Sequence, residues 1–134
     1  MQSIKAKAYS LLARRSYFSK QLKHKLLEKG YPQEEIKNLI DELTRRGWLN
    51  DLELAKRYCE QQQRRGYGPK LIALKLREKA GPIDISLEES EEAAIALVRK
   101  RYMPLQREKV IRALLRRGFS FELINKVLSH ISKE

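Results

Sequence analysis

Lysine and arginine are the residues whose abundance and spacing suggest chemistry in this sequence. The 134 residues include 29 Lys and Arg against 17 Asp and Glu, which gives a formal net charge of +12. Such an excess attracts polyanions, so nucleic acid, an acidic protein surface and anionic lipid are the candidate partners. Because 42% of the residues are hydrophobic, the chain is not a disordered basic tail and can bury a core.

Paired arginines stand before a glycine and an aromatic residue at three places. The three runs are Arg45-Arg46-Gly47-Trp48, Arg64-Arg65-Gly66-Tyr67 and Arg116-Arg117-Gly118-Phe119. Each run predicts a helix end, because glycine adopts the left-handed conformation there and the next apolar side chain packs back on the last turn. We therefore predict that Trp48, Tyr67 and Phe119 belong to the core. One arginine would complement the negative end of the helix dipole, so the recurring pairs indicate contact with a partner.

The basic residues that we predict to contact a partner lie in or beside the second helix of each repeat. They are Arg14, Arg15, Lys20, Lys23, Arg64, Arg65, Lys70, Lys75, Arg112, Arg116 and Arg117. Basic patches at regular intervals suit a regular polyanion or a filament better than a point ligand. Aromatic residues do not interleave these patches as base stacking would require, so contact with phosphate is favoured over base reading. The competing interpretation is a solvated cationic face that contacts nothing.

Catalytic and metal-binding patterns are missing from the sequence. No glycine-rich phosphate loop is present, and His24 and His130 are isolated from other metal ligands. The single cysteine, Cys59, is predicted to be a small buried group, and carboxylate pairs such as Glu34-Glu35 fall on solvated helix faces. We expect no cofactor, no metal and no enzymatic activity. A lone cysteine and the absence of a long apolar run predict a cytoplasmic protein that does not enter a membrane.

Helical periodicity runs through nearly the whole chain and predicts an all-α fold. The predicted helices are 3–15, 19–29, 32–46, 51–65, 69–80, 86–102, 104–117 and 120–132. The helix 86–102 is expected to begin with a capping box of Ser86 and Glu89, and the helix 104–117 with Pro104. The acidic stretch from Asp84 to Glu92 is interpreted as a polar helix start or, alternatively, as a surface that steers partners or mimics phosphate.

An internal repeat relates the two ends of the chain. A shift of 88 residues places Leu26 on Leu114, Gly30 on Gly118 and Tyr31 on Phe119. A middle unit lies between them, which predicts three-helix repeats at 1–50, 51–90 and 91–134. The second repeat is expected to have a shortened third helix. Stacked repeats of this kind predict an elongated, curved rod.

Several short motifs together resemble the RecX family, the bacterial regulators of the RecA recombinase. They are Ala13-Arg14-Arg15-Ser16-Tyr17, Leu22, Leu26, Lys29-Gly30-Tyr31, Gly47-Trp48-Leu49-Asn50-Asp51, Ala55, Tyr58, Gly66-Tyr67-Gly68-Pro69, Ile72 and Leu76. The resemblance covers roughly 13–81, and the repeat at 107–131 fits the third unit of the family. It implies three tandem three-helix repeats and no catalytic motif. The stretch 82–92 departs from the family pattern, because it is about one helix shorter.

The resemblance also implies a function. A RecX-like protein would bind along the groove of the RecA–single-stranded DNA filament and inhibit recombinase, ATPase and SOS co-protease activity. We expect a monomer, because charge repulsion opposes self-association, and weaker binding to single-stranded DNA alone. Capping of filament ends and coating of the groove both remain open. The alternative is a RecA-independent DNA-binding protein acting through phosphate-backbone contacts, and a nuclease is the third class.

Overall fold

The chain folds into short helices joined by tight turns, and this confirms the predicted all-α class. The computed structural model describes residues 2–104 and 106–132, in which no strand occurs. The helices are α1 (Ile4–Arg14), α2 (Ser19–Glu28), α3 (Gln33–Arg45), α4 (Asp51–Arg64), α5 (Pro69–Ala80), α6 (Glu91–Leu97), α7 (Arg107–Arg116) and α8 (Phe121–Ser132). A π-helical turn, Val98–Tyr102, follows α6 directly.

Two compact units make up the fold. Unit 1 comprises the residues up to Arg57 together with Leu76–Ile85, and unit 2 comprises Tyr58–Lys75 together with the residues from Ser86 onward. Each unit has its own apolar core. Leucines and isoleucines of α2 and α3 fill the core of unit 1, and α6, α7 and α8 supply the core of unit 2.

The predicted internal repeat is visible in the helix positions. Adding 88 to the numbers of the first and last residues of α2 gives the first and last residues of α7. The same addition converts the first residue of α3 into the first residue of α8. Equivalent side chains are buried alike: Leu26 and Leu114 are fully buried, and Tyr31 and Phe119 are nearly so. The same apolar spacing therefore builds the same pair of helices in both units.

The predicted helix 86–102 is wrong at its beginning, because residues 82–90 form no helix. Ser90 is the N-cap of α6, and its hydroxyl accepts a hydrogen bond from Ala93 N at 3.1 Å. Glu89 does not reach back to Ser86. Its carboxylate accepts hydrogen bonds from both the backbone N–H (2.7 Å) and the hydroxyl (2.6 Å) of Ser120, which precedes α8.

Pro104 does not begin a helix, contrary to the prediction. The residue before a proline is disfavoured in the helical conformation, and Met103 accordingly adopts an extended backbone after the π-helical turn. Helix α7 begins at Arg107, because the carbonyl of Gln106 accepts its first hydrogen bonds. Ser120 does cap α8 as predicted, since its hydroxyl accepts from Leu123 N at 3.2 Å.

Replacing Glu89 by alanine is expected to lower the free energy of unfolding by about 1–2 kcal/mol, because it removes a carboxylate from the N-terminus of α8. Urea denaturation measures this loss. Glu88→Ala is the control, because it removes the same charge from an exposed neighbour and should cost no more than about 0.5 kcal/mol. Equal losses in the two variants would contradict a capping role for Glu89.

The aromatic residues that follow the helix-ending glycines are not all core residues. Phe119 is buried as predicted and Tyr67 is half-buried, but Trp48 is 59% exposed, so its assignment to the core is wrong. After Gly47, Leu49 packs inward in place of Trp48. Leu49 donates its N–H to the carbonyl of Leu43 at 3.3 Å and buries its side chain in unit 1.

Cys59 is buried, as the sequence predicts. Burial raises the pKa of the Cys59 thiol above its ordinary value of 9.0. The unfolded chain therefore loses this proton first, so the contribution of Cys59 to stability falls as the pH rises above the ordinary thiol pKa.

We expect a disulfide reagent to modify Cys59 more than about tenfold more slowly in buffer than in urea, because the thiol is buried in the native protein. Equal rates would mean that the thiol is accessible in the native protein.

Candidate functional site

The predicted contact residues are available to a partner. Arg117 is half-buried, and the other predicted cations are exposed: Arg14, Arg15, Lys20, Lys23, Arg64, Arg65, Lys70, Lys75, Arg112 and Arg116. They are not spread evenly. Three of them line a cavity in unit 1, three line a cavity in unit 2, and the others line neither.

In unit 1 the cavity is a groove along α2, which we call the α2 groove. Its volume is about 530 Å³, and its floor is mainly apolar. The lining residues are Arg15, Tyr17, Lys20, Gln21, Lys23, His24, Lys25, Leu27, Glu78 and Lys79. Lys20, Lys23, His24 and Leu27 recur at helical spacing on α2, so one face of that helix forms a wall of the groove. This face carries the predicted contacts Lys20 and Lys23.

Arg15 is held at the edge of the α2 groove by an aromatic ring. Its guanidinium carbon lies 4.1 Å from the centroid of the Tyr17 ring, and Tyr17 is buried. A cation above a ring face is stabilised by the ring quadrupole. Within residues 2–104 and 106–132, Arg15, Lys20 and Lys23 form no ion pair, so their charges are free to meet an outside anion.

In unit 2 the second cavity has a volume of about 550 Å³ and a polar lining, and we call it the arginine pocket. It is lined by Gln63, Arg64, Arg65, Gly66, Tyr67, Ala93, Ala96, Leu97, Lys100, Arg101 and Arg117. No carboxylate is among these lining residues. The pocket therefore concentrates positive charge, whereas the α2 groove combines positive charge with an apolar floor.

Arg117 has a structural task in the arginine pocket. Its Nε donates to the Tyr102 hydroxyl at 2.7 Å, and its Nη1 donates to the carbonyls of Arg65 (3.0 Å) and Gly66 (3.3 Å). One guanidinium thus satisfies carbonyls at the end of α4 and ties them to the π-helical turn. The paired-arginine pattern predicted a partner contact here, but most of the Arg117 donors are already occupied.

Three predicted cations surround the ring of Tyr67. The charged ends of Arg117, Lys75 and Arg65 lie 5.2, 5.3 and 5.9 Å from the ring centroid. This arrangement could not be predicted from the sequence, because Lys75 and Arg117 both lie outside the motif that contains Tyr67 and come close to it only in the folded chain. The shared ring keeps three like charges close together at the surface of unit 2.

Other predicted contacts do not join either cavity. Arg14, Lys70, Lys75, Arg112 and Arg116 line neither the α2 groove nor the arginine pocket, and Arg112 lies 4.0 Å from Glu108 on the same helix. Conversely, the cavities include Lys25, Lys79, Lys100 and Arg101, which the sequence reasoning did not select. The run Arg99-Lys100-Arg101 was the available signal for the second pair.

Two glycines bring the start of α5 against the end of α7 within unit 2. Gly68 N donates to the carbonyl of Arg117 at 2.6 Å, and Lys70 N donates to the carbonyl of Gly118 at 3.2 Å. A Cβ atom on Gly68 would lie 2.5 Å from the carbonyl carbon of Gly118, so a side chain cannot fit. The positive end of one helix therefore meets the negative end of another.

The part of the chain that the structure describes holds neither a cluster of metal ligands nor a helix that could span a membrane. No three His, Cys, Asp or Glu side chains come close enough to share a metal ion. No helix there has the length and apolar character needed to cross a membrane.

Comparison with known proteins decides the family. The RecX first three-helix domain matches residues 5–43, which hold α2 and most of α1 and α3. The RecX third three-helix domain matches residues 88–128, which begin before α6 and reach into α8. Regulatory protein RecX of Pseudomonas entomophila is 31% identical over 140 residues, covering 95% of this chain and 90% of that protein. The chain belongs to the RecX family.

Other RecX proteins agree with this assignment. Regulatory protein RecX of Pasteurella multocida is 28% identical and covers 92% of this chain and 85% of its own. The crystal structure of RecX from Lactobacillus salivarius has a TM-score of 0.80 at 20% identity, covering 98% of this chain and 96% of that one, and shows the same fold. The family members are named as regulatory proteins, so a regulatory role is the function that family membership supports.

Proposed function

We propose that this chain binds the RecA–single-stranded DNA filament and inhibits its recombinase, ATPase and SOS co-protease activities. The observation that carries the proposal is the pair of cation-lined cavities in a member of the RecX family. A filament offers both of the chemistries that these cavities could meet: DNA phosphates and acidic protein surface. The chain acts in the cytoplasm as a monomer, by binding and without catalysis or cofactor.

The α2 groove is the surface that we assign to the protein part of the filament. Its apolar floor suits an apolar side chain of a partner, and its cationic rim suits carboxylates around that side chain. Arg15, Lys20 and Lys23 would supply this rim. Charge complementarity of this kind raises the rate of encounter and selects the partner.

Inhibition follows from binding alone. A protein that occupies the filament surface competes for the positions that strand exchange needs and opposes the changes between subunits that accompany ATP turnover. Any ligand that binds one state of an assembly better than another shifts the assembly toward that state. No catalytic group is needed for this mechanism.

The proposal is tested by fluorescence anisotropy on labelled single-stranded DNA, bare and coated with RecA and a slowly hydrolysed ATP analogue, over a series of salt concentrations. We expect much tighter binding to the coated strand, and we expect this preference to persist at physiological salt. Binding to bare DNA should weaken steeply as salt rises, because it depends on counterion release.

The alternative function is that of a DNA-binding protein that acts without RecA. The polar, carboxylate-free lining of the arginine pocket is the observation that favours it. In the same experiment, equal or tighter binding to bare DNA would support this alternative and would contradict the filament proposal.

A further inference from the structure

The arginine pocket has donors that no part of the described chain uses. Arg65, Lys100 and Arg101 form no ion pair within residues 2–104 and 106–132, and Arg64 has only a distant one, 3.8 Å from the exposed Glu60. Since no carboxylate lines the pocket, the repulsion among these cations is not balanced from within. An anion of high charge would relieve it.

The π-helical turn contributes half of these cations. Met103 N donates to the carbonyl of Val98 at 2.9 Å. A hydrogen bond between residues five apart is the pattern that defines a π-helix. Such turns are rare and occur frequently at functional sites. Here the turn carries three consecutive basic residues, and Lys100 and Arg101 line the pocket.

Arg117 fixes the position of the turn against the end of α4. Its hydrogen bonds join the Tyr102 hydroxyl to the carbonyls of Arg65 and Gly66. The backbone segments that carry the free cations are thereby held close to each other before any ligand arrives, which lowers the entropic cost of binding. Arg117 is a positioning residue in this arrangement.

We propose that the arginine pocket binds phosphoryl groups, with Arg64, Arg65, Lys100 and Arg101 as the direct contacts. Guanidinium groups match phosphate oxygens with paired N–H donors, and lysine adds a mobile point charge. A volume of about 550 Å³ accommodates more than one phosphoryl group. Two sources have this chemistry: successive phosphates of a nucleic-acid strand and the polyphosphate of a free nucleotide. The first source rests on the proposed function, and the second goes beyond it.

The test compares two double variants of the full chain that remove equal charge from unit 2. Lys100→Ala with Arg101→Ala changes the pocket, and Lys109→Ala with Lys126→Ala changes exposed residues outside it. The probes are inorganic tripolyphosphate, followed by calorimetry, and a labelled oligo-dT, followed by anisotropy, both without RecA. Circular dichroism checks helicity, and Lys100→Gln with Arg101→Gln serves as a second pocket variant.

We expect the pocket variants to weaken binding of at least one probe by about tenfold, and the control to weaken it by no more than about twofold. If the strand is the ligand, a plot of the logarithm of the binding constant against the logarithm of the salt concentration should become less steep by about 1.4. Each lost contact with a single strand removes about 0.7, and the pocket variants lose two contacts. Loss of tripolyphosphate binding alone would identify a free polyphosphate as the ligand, and loss of oligo-dT binding alone would identify a strand. Equal losses in pocket and control variants would overturn the proposal, as would a wild-type chain that binds neither probe.

A measurement of RecA inhibition by the wild-type chain and the same variants distinguishes failure of the phosphate-pocket proposal from failure of the filament proposal. A wild-type chain that inhibits RecA while the pocket variants bind both probes normally would refute only the phosphate pocket. A wild-type chain that binds tripolyphosphate through the pocket but leaves RecA activity unchanged would refute only the filament proposal.

Discussion

Gly118→Ala is expected to lower the free energy of unfolding by about 3–5 kcal/mol, as the sum of backbone strain and overpacking. Gly118 has a φ of +96°, which L-residues rarely adopt. A Cβ atom there would lie 2.5 Å from Leu71 N and 2.7 Å from Leu71 Cβ, so α5 would have to move away from α7. That movement would also break the hydrogen bond from Lys70 N to the Gly118 carbonyl. Urea denaturation measures the loss.

Gly47→Ala is the matched control for this variant. Gly47 also follows a helix, with a φ of +81°, but a Cβ atom on it would meet nothing within 4 Å. Only the backbone strain remains, and it should cost about 1 kcal/mol. If the two alanine variants lost the same free energy, the close approach of the glycines would have no energetic importance.

Reversing two charges of the α2 groove is expected to weaken inhibition of RecA about a hundredfold, equivalent to about 3 kcal/mol, because like charges at an interface repel strongly. The variant is Arg15→Glu with Lys20→Glu. Both side chains are exposed and line the groove, so the change should leave the core intact. The measurement is inhibition of RecA ATPase activity over a range of concentrations, with helicity checked by circular dichroism.

Lys29→Glu with Lys37→Glu is the control for the groove variant. It reverses the same number of charges in the same unit, on exposed residues that do not line the groove. The control should retain most of the inhibition, although general attraction to the filament is reduced. Equal loss in both double variants would mean that net charge, and not the α2 groove, determines binding.

The helices could be predicted from sequence wherever their ends are marked locally. Periodicity and glycine place α2 and α3 within about a residue of their observed bounds, and the shift of 88 residues transfers those bounds to α7 and α8. The predicted start of the helix 86–102 is wrong because Ser86 and Glu89 have the spacing of a capping box but do not form one. The real partner of Glu89 is Ser120, which lies 31 residues further along the chain and is brought close only by folding.

The candidate site could be predicted only in part, for a similar reason. Basic composition was enough to select Arg15, Lys20 and Lys23, which do lie together. Sequence spacing could not reveal that Lys79 joins them from another helix. It also could not reveal that Arg117 donates its N–H groups to the Tyr102 hydroxyl and to backbone carbonyls, since those contacts exist only in the folded chain.

The exposed position of Trp48 gives the protein a built-in optical probe. It is the single tryptophan of the sequence, the residue is 59% exposed, and the centroid of its ring lies 5.7 Å from that of the Tyr9 ring in unit 1. Excitation of tryptophan therefore reports on unit 1 alone, and its emission should resemble that of indole in water. Iodide should quench this emission in the free protein. A partner that covers this face of unit 1 should shield the ring, so that binding can be followed without attaching a dye.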